Sequence, residues 1–245
     1  VEIENTRIRG TVQLTKTDWD YPDNKLTGAE FTVYRDSNGN KELDADDERL
    51  GTLTETGIGV YKMADLLYGG YFVKETKAPD GFCLDENAYY FEITEDGKTV
   101  IVENEAGKGF VNAPQVGSLK IIKTSSDGKI EGFSFRVAGP NGYAGVFTTD
   151  KNGEIIIDDL RIGEYVVSEV SDVASSAYVL PADKTASVFE GAVTKVEMHN
   201  ELRDTPKTGD DSNPALWFAL LGVSAAGAAV LGIVGFRKRR KEGAE

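Results

Sequence analysis

The chain has 245 residues, 40% of them hydrophobic, 27 glycines and a formal net charge of −14, which leaves room for roughly one to three domains. The acidic balance argues against nucleic-acid binding, which needs basic patches, and the composition excludes a disordered chain in favour of turn-rich β domains. The single cysteine, Cys83, rules out an intramolecular disulfide and reads as a small buried apolar residue, so an extracellular chain of this kind must be stabilised by something else.

Residues 1–6, VEIENT, alternate Val1 and Ile3 with Glu2 and Glu4, as a strand does. They resemble VEMHNELR at residues 196–203, which marks residues 1–9 as the last strand of a further, upstream domain. Residues 10–18, GTVQLTKTD, put Val12 and Leu14 on one face of a strand, and the same alternation carries Lys16 onto that apolar face. A lysine aimed at a core is costly unless something neutralises it, so it requires a reason.

Short alternating runs then follow one another to residue 115, separated by Gly, Asn and Asp turns. Phe31 and Val33 lead into DSNGN. Tyr71, Val73 and Glu75 alternate in YFVKE. Tyr89, Phe91 and Ile93 come next, and EDG reads as a hairpin-type turn before TVIVEN. GFVNAP ends the unit with Phe110 and Asn112 in phase. With no long helical period, the reading is an all-β sandwich over residues 10–115.

Residues 116–203 repeat the pattern. Lys25-Leu26-x-Gly28-x-x-Phe31-x-Val33 matches Lys129-Ile130-x-Gly132-x-x-Phe135-x-Val137. Asp65-Leu66-x-x-Gly69-x-Tyr71-x-Val73-x-Glu75 matches Asp159-Leu160-x-x-Gly163-x-Tyr165-x-Val167-x-Glu169. Lys123 follows Leu119 and Ile121 in phase, and Asn200 follows Val196 and Met198. A repeat of about ninety to a hundred residues means whole domains in tandem.

Residues 204–213 have no periodicity and read as an exposed linker. Residues 214–236 carry no charge. The stretch 217–236 alone, at ~1.5 Å per residue, spans a ~30 Å hydrocarbon core. RKRRK follows at once, so the positive-inside rule places the tail, residues 237–245, in the cytoplasm and the domains outside.

TPKTG, the apolar span and the basic tail together resemble the cell-wall sorting signal of Gram-positive surface proteins, Leu-Pro-x-Thr-Gly. Pro206, Thr208 and Gly209 match, Lys207 takes the variable position, and Thr205 stands where Leu is expected. The resemblance implies that a sortase cuts between Thr208 and Gly209 and joins the threonine carbonyl to a peptidoglycan amine or a pilin lysine. LTK, YFVKETKAPDGF and FVNAP resemble the B-type, prealbumin-like (SpaA-type) domains of collagen adhesins and Gram-positive pilins, over residues 10–203. The expected fold is therefore all-β: two tandem prealbumin-like (Ig-like) sandwiches, 10–115 and 116–203, followed by a single C-terminal transmembrane helix.

The same resemblance implies an intramolecular isopeptide bond in each domain, Lys16 to Asn112 promoted by Glu75, and Lys123 to Asn200 promoted by Glu169. The physics agrees. Burial lowers a lysine's pKa and raises a glutamate's, which yields a neutral amine nucleophile beside a protonated acid able to shuttle protons. The alternatives are a lysine that snorkels to solvent or an ordinary buried Lys–Glu pair. Asn104, in phase with Val100 and Val102, competes as acceptor, but Asn112 lies on the final strand and is preferred.

Asp36, Asn38, Asn40, Asp44 and Asp47 come near the oxygen-ligand spacing of calcium loops. Lys41 occupies the position where such loops need Gly, so a solvated acidic loop is the favoured reading and no cofactor is expected. DYPDNK, with Lys25, is similar to the pilin motif whose lysine accepts the next subunit's sorting signal, and reads better as an ordinary turn. His199 points away from Asn200, to the surface. No Ser/His/Asp set, P-loop or metal-ligand cluster is present in the sequence, so the only chemistry expected is the chain's own bond formation. The function expected is a secreted, peptidoglycan-anchored stalk of an adhesin or pilin subunit. Its expected partners are sortase, peptidoglycan or another pilin subunit, a host matrix protein, and the membrane before processing, with no nucleic acid. The alternative is a wall-anchored stalk carrying an N-terminal hydrolase encoded upstream.

Overall fold

The computed structural model describes residues 6–204. Residues 1–5 of the strand expected at 1–9, the sorting motif at 205–209, the apolar span at 214–236 and the basic tail lie outside the described residues; residues 6–8 form no strand, and Arg9 opens the first strand of the first sandwich.

The alternation read in the sequence becomes two β-sandwiches. In the first, β1 (Arg9–Asp18), β4 (Thr54–Gly57), β5 (Val60–Leu67) and β8 (Thr99–Ile101) form one sheet in the order β4-β5-β1-β8, with β9 (Phe110–Asn112) also paired to β1. The facing sheet runs β3-β2-β6-β7, from β2 (Glu30–Arg35), β3 (Glu48–Thr52), β6 (Gly69–Lys77) and β7 (Ala88–Ile93). The second sandwich sets β10 (Val116–Ser125), β13 (Glu154–Arg161), β15 (Tyr178–Val179) and β17 (Val193–Leu202) in the order β13-β10-β17-β15. It packs them on β11 (Ser134–Ala138), β12 (Ala144–Thr148), β14 (Gly163–Glu169) and β16 (Lys184–Val188), in the order β12-β11-β14-β16. Inward residues from both sheets make each core: Val12, Leu14, Phe31 and Val73 in the first, Leu119, Ile121, Phe135 and Val167 in the second, all fully buried.

The first and last strands of each sandwich are parallel neighbours. Lys16 is paired with Phe110 and Asp18 with Asn112, and Lys123 is paired with Met198 and Ser125 with Asn200. Each asparagine thus stands two residues beyond the lysine's cross-strand partner, on the same face, within reach of a long side chain.

The repeated motif has a structural reason at most of its positions. Asp65 and Asp159 adopt left-handed backbone (φ 61° and 56°) beside the register shifts that break the β1–β5 and β10–β13 ladders, a conformation aspartate tolerates better than most residues. Tyr71 and Tyr165 are buried and return their hydroxyls to the backbone carbonyls of Leu67 and Arg161.

Two expectations are corrected. EDG does not close a hairpin: β7 pairs antiparallel with β6, whereas β8 pairs parallel with β1 in the opposite sheet. The turn docks on the start of β1, where Asp96 accepts from Arg9 N–H and Gly97 N–H donates to Arg9 O. Turn chemistry set a tight bend there, and the bend carries the chain across the sandwich. Cys83 is exposed, not buried. It lies in the irregular segment after β6, where no alternation turns it inward, with Sγ 3.8 Å from Pro114 O and 3.9 Å from Glu190 Oε1.

Both sandwiches belong to one unit that ends at Leu202. At their junction Arg161, on β13, donates to both carboxylate oxygens of Asp18 (2.8 and 2.7 Å) and to Asp20 (2.6 Å). Its guanidinium also covers the rings of Tyr21 and Phe82. Burial works to raise the Asp18 pKa, but the Arg161 hydrogen bonds and charge, together with the backbone N–H groups of Asp20 and Tyr21, outweigh it and hold the carboxyl below its ordinary value.

Candidate active site: two buried lysine, glutamate and asparagine clusters

In the first sandwich Lys16, Glu75 and Asn112 converge, with relative exposures of 0%, 0% and 2%. β1 and β9 bring the lysine and asparagine from one sheet. Glu75 crosses from the other, where it is paired with Phe31 at the edge of the core. Asn112 Nδ2 donates to both Glu75 oxygens (3.0 and 2.8 Å). Lys16 Nζ lies 3.9 Å from Glu75 Oε1 and donates to Phe110 O at 2.9 Å. The backbone N–H of Asp85 donates to Glu75 Oε2 at 2.8 Å.

Burial dominates the electrostatics. It pushes Lys16 down to about 8 against the opposing pull of Glu75, Asp85 and Asp18. It pushes Glu75 up, against the Asp85 N–H, Asn112 and Lys16. Both shifts favour a neutral amine beside a neutral acid. Asn112 Oδ1 is buried and has no hydrogen-bond partner among the described residues. A half-turn of the amide exchanges O and N, presents Oδ1 to a protonated Glu75 and gives that oxygen its partner.

The second sandwich reproduces the set from the same registers. Glu169 is paired with Phe135, as Glu75 is with Phe31. Asn200 Nδ2 donates to Glu169 Oε1 at 2.6 Å. Lys123 is 1% exposed, lies 4.3 Å from the centre of the Phe133 ring and donates to Thr124 O. Burial lowers Lys123 and raises Glu169, the same directions as in the first set. Glu169 Oε2 and Asn200 Oδ1 have no partner among the described residues, so this cluster is the less fully bonded of the two.

The other candidate residues fall elsewhere. Asn104 bonds Asp85 and both backbone groups of Val111. Asp36, Asn38, Asn40, Asp44 and Asp47 share one exposed loop and bond its backbone and one another: Asp44 Oδ2 accepts from Asn38 and Asn40, and Asp47 from Ser37 N–H. Lys41 takes the left-handed backbone (φ 62°) that glycine would supply. Lys25 is exposed in the turn after β1. His199 is exposed and bonds Thr124 and Glu201. Asp85 and Arg161 were invisible to sequence reasoning: Asp85 acts through its backbone from an aperiodic loop, and Arg161 replaces the first domain's Leu67 at an outward strand end.

Residues 10–108 and 117–202 each match the SpaA prealbumin-like fold domain. The chain is similar to the solved Bacillus anthracis TIE protein, at 26% identity and a TM-score of 0.60, covering 79% of this chain and 34% of that one. It is also similar to Colossin-A of Dictyostelium discoideum, 26% identical over 144 residues, 52% of this chain and 1% of that protein. A C-terminal fragment of the pilus adhesin SpaC from Lactobacillus rhamnosus GG aligns at 15% identity and a TM-score of 0.45, over 81% of this chain and 98% of the fragment. The chain thus spans about a third of the TIE protein and a hundredth of Colossin-A. With both sandwiches matched and most of its length covered, the chain belongs to the SpaA prealbumin-like fold family and carries two such domains in tandem.

Proposed function

We propose that this chain is the stalk of a Gram-positive surface pilin or adhesin, each sandwich closed by an amide between its first and last strands. The bonds join Lys16 to Asn112 and Lys123 to Asn200. The observation that carries the reading is the burial of Lys16, Glu75 and Asn112 together, with the lysine pushed down to about 8. A charged lysine is costly at that depth, and an amide bond removes the charge.

The contacts support the following reaction. Neutral Lys16 Nζ attacks Asn112 Cγ, and protonated Glu75 stabilises the charge that develops on Oδ1. Glu75 passes a proton to Nδ2, the Cγ–Nδ2 bond breaks, and ammonia leaves. The proton lost by Nζ returns to Glu75, so the glutamate ends as it began. Holding the groups in contact replaces a bimolecular encounter, so the fold supplies the main catalytic effect. Glu169 plays the same part for Lys123 and Asn200.

Anchoring completes the proposal. Sortase would cut at Thr208–Gly209 and join Thr208 to peptidoglycan or to another pilin subunit, leaving the domains outside the cell. The intact mass of the full chain tests the bonds: it falls by ~17 Da, one ammonia, for each bond formed. A mass equal to that of the sequence overturns the proposal.

A further inference from the structure

β9 is a strand of three residues, and it must present Asn112 to Glu75 and Lys16. In the second sandwich the same task falls to β17, which is ten residues long and pairs with β10 from Ser118 to Ser125. A strand held by so few ladder bonds frays unless something else fixes it. In the first sandwich that something is visible. Asn104 Nδ2 donates to Val111 O at 2.9 Å, and Asn104 Oδ1 accepts from Val111 N–H at 2.6 Å. The side-chain amide thus takes the place of a missing neighbouring strand, one residue before Asn112.

The same Asn104 Nδ2 donates to Asp85 Oδ2 at 2.8 Å. Asp85 is held in turn by the Tyr89 hydroxyl (2.7 Å) and by Asn87 N–H (3.0 Å), and its own N–H reaches Glu75 Oε2 at 2.8 Å. One continuous run of hydrogen bonds therefore ties the strand that carries the acceptor to the acid that activates it. The second sandwich has no such tie on its glutamate: Glu169 Oε2 is without a partner among the described residues.

Resting on the bond chemistry proposed above, we infer that Asn104, acting through Asp85, is a positioning residue for closure of the first sandwich: it straps β9 so that Asn112 meets Glu75 and Lys16. The residue that the sequence offered as a rival acceptor holds the true acceptor in place.

The test follows both cross-links in one full-length chain. The protein is synthesised in a cell-free pulse and quenched in acid at intervals. The Lys16–Asn112 and Lys123–Asn200 cross-linked peptides are then quantified by mass. Asn104→Ala is expected to slow the first cross-link by about tenfold or more, as loss of alignment at a reacting pair does, and to leave the second at its native rate. Asn104→Asp, which sets two carboxylates against each other, is expected to slow it as well. Adding Asp85→Asn relieves that repulsion but cannot restore the donor to Val111 O, so the rate is expected to stay well below native.

An excluded osmolyte separates positioning from stability, because it favours the folded chain without supplying the strap. If the osmolyte restores the native rate to Asn104→Ala, Asn104 acts through folding alone and the inference falls. It falls equally if Asn104→Ala or the Asn104→Asp, Asp85→Asn double variant closes at the native rate, or if a Lys16–Asn104 cross-link appears. Absence of both cross-links from the native chain refutes the bond chemistry itself, and the inference with it.

Discussion

Glu75→Gln separates the proposed covalent bond from the fold. The substitution keeps the size of the side chain and an oxygen for the Asp85 N–H, but it removes the acid proposed to move protons between Lys16 and Asn112. The first-domain bond should fail to form, and the mass should rise by ~16 Da over the native chain, one retained ammonia less the ~1 Da that the substitution removes. Lys16 and Asn112 stand at the two ends of nearly the whole sandwich, so the bond closes a loop of ~100 residues, worth about 4.7 kcal/mol of restriction on the unfolded chain when treated like a disulfide. At about 4–8 °C per kcal/mol for a domain of this size, the first-domain transition should fall by roughly 20–35 °C. The unreacted Lys16 remains buried with no acid beside it, which adds to the loss. Calorimetry on the full chain reads the shift, with the second domain as internal reference. A Glu75→Gln chain that still loses ammonia removes Glu75 from the chemistry. One that keeps its ammonia yet melts within about 5 °C of native removes the loop-closure argument.

Two further predictions rest on the same geometry. Between the raised Glu75 value and the Lys16 value of about 8, the pair shares one proton, and the reactive arrangement, neutral amine with protonated acid, belongs to that state. The closure rate should therefore be flat at intermediate pH, fall in acid as both groups become protonated, and fall by about tenfold per pH unit above about pH 8 as both lose their protons; a rate that climbs steadily beyond that point contradicts the role of Glu75 as an acid. Arg161→Ala strands Asp18, which is 2% exposed, and should cost about 3 kcal/mol, the low end for a broken buried pair because Arg161 keeps some solvent contact. It should also broaden the distance distribution between labels placed on the two sandwiches, and an unchanged urea midpoint and distribution would show that the Arg161 contacts contribute nothing to the joint.

The sequence made the faces of the strands legible but not their neighbours. Alternation alone placed Lys16, Glu75 and Asn112 inward, because side-chain direction along a strand has a period of two and nothing distant can change it. The repeat then showed the same three positions a second time. Alternation is silent on pairing, so Asn104 and Asn112 were equally in phase; position on the final strand favoured Asn112, and the parallel β1–β9 register agrees by setting it beside Lys16. The EDG turn failed for the same reason, since a tight bend fixes chain reversal and not which sheet receives the next strand. Cys83, Asp85 and Arg161 lie in or beside segments without period, where exposure and contacts depend on the other domain or on a backbone N–H.

Topology also fixes how such a stalk carries load. The chain enters each sandwich along its first strand and leaves along its last, and the two are parallel neighbours. With the bonds in place, tension passes along β1 to Lys16, across to Asn112, through the short connection to β10, and from Lys123 to Asn200. Everything between Lys16 and Asn112, and between Lys123 and Asn200, lies outside the path. The sandwiches then bear force as a covalent thread and their hydrogen bonds bear almost none. Pulled from its two ends, the native tandem should show no lengthening step the size of a domain before the tether breaks. Glu75→Gln should restore one such step, the release of ~100 residues or roughly 300–350 Å at about 3.3–3.6 Å per residue. A domain-sized step in the native chain would place the load on the β1–β9 ladder instead and would refute the covalent path.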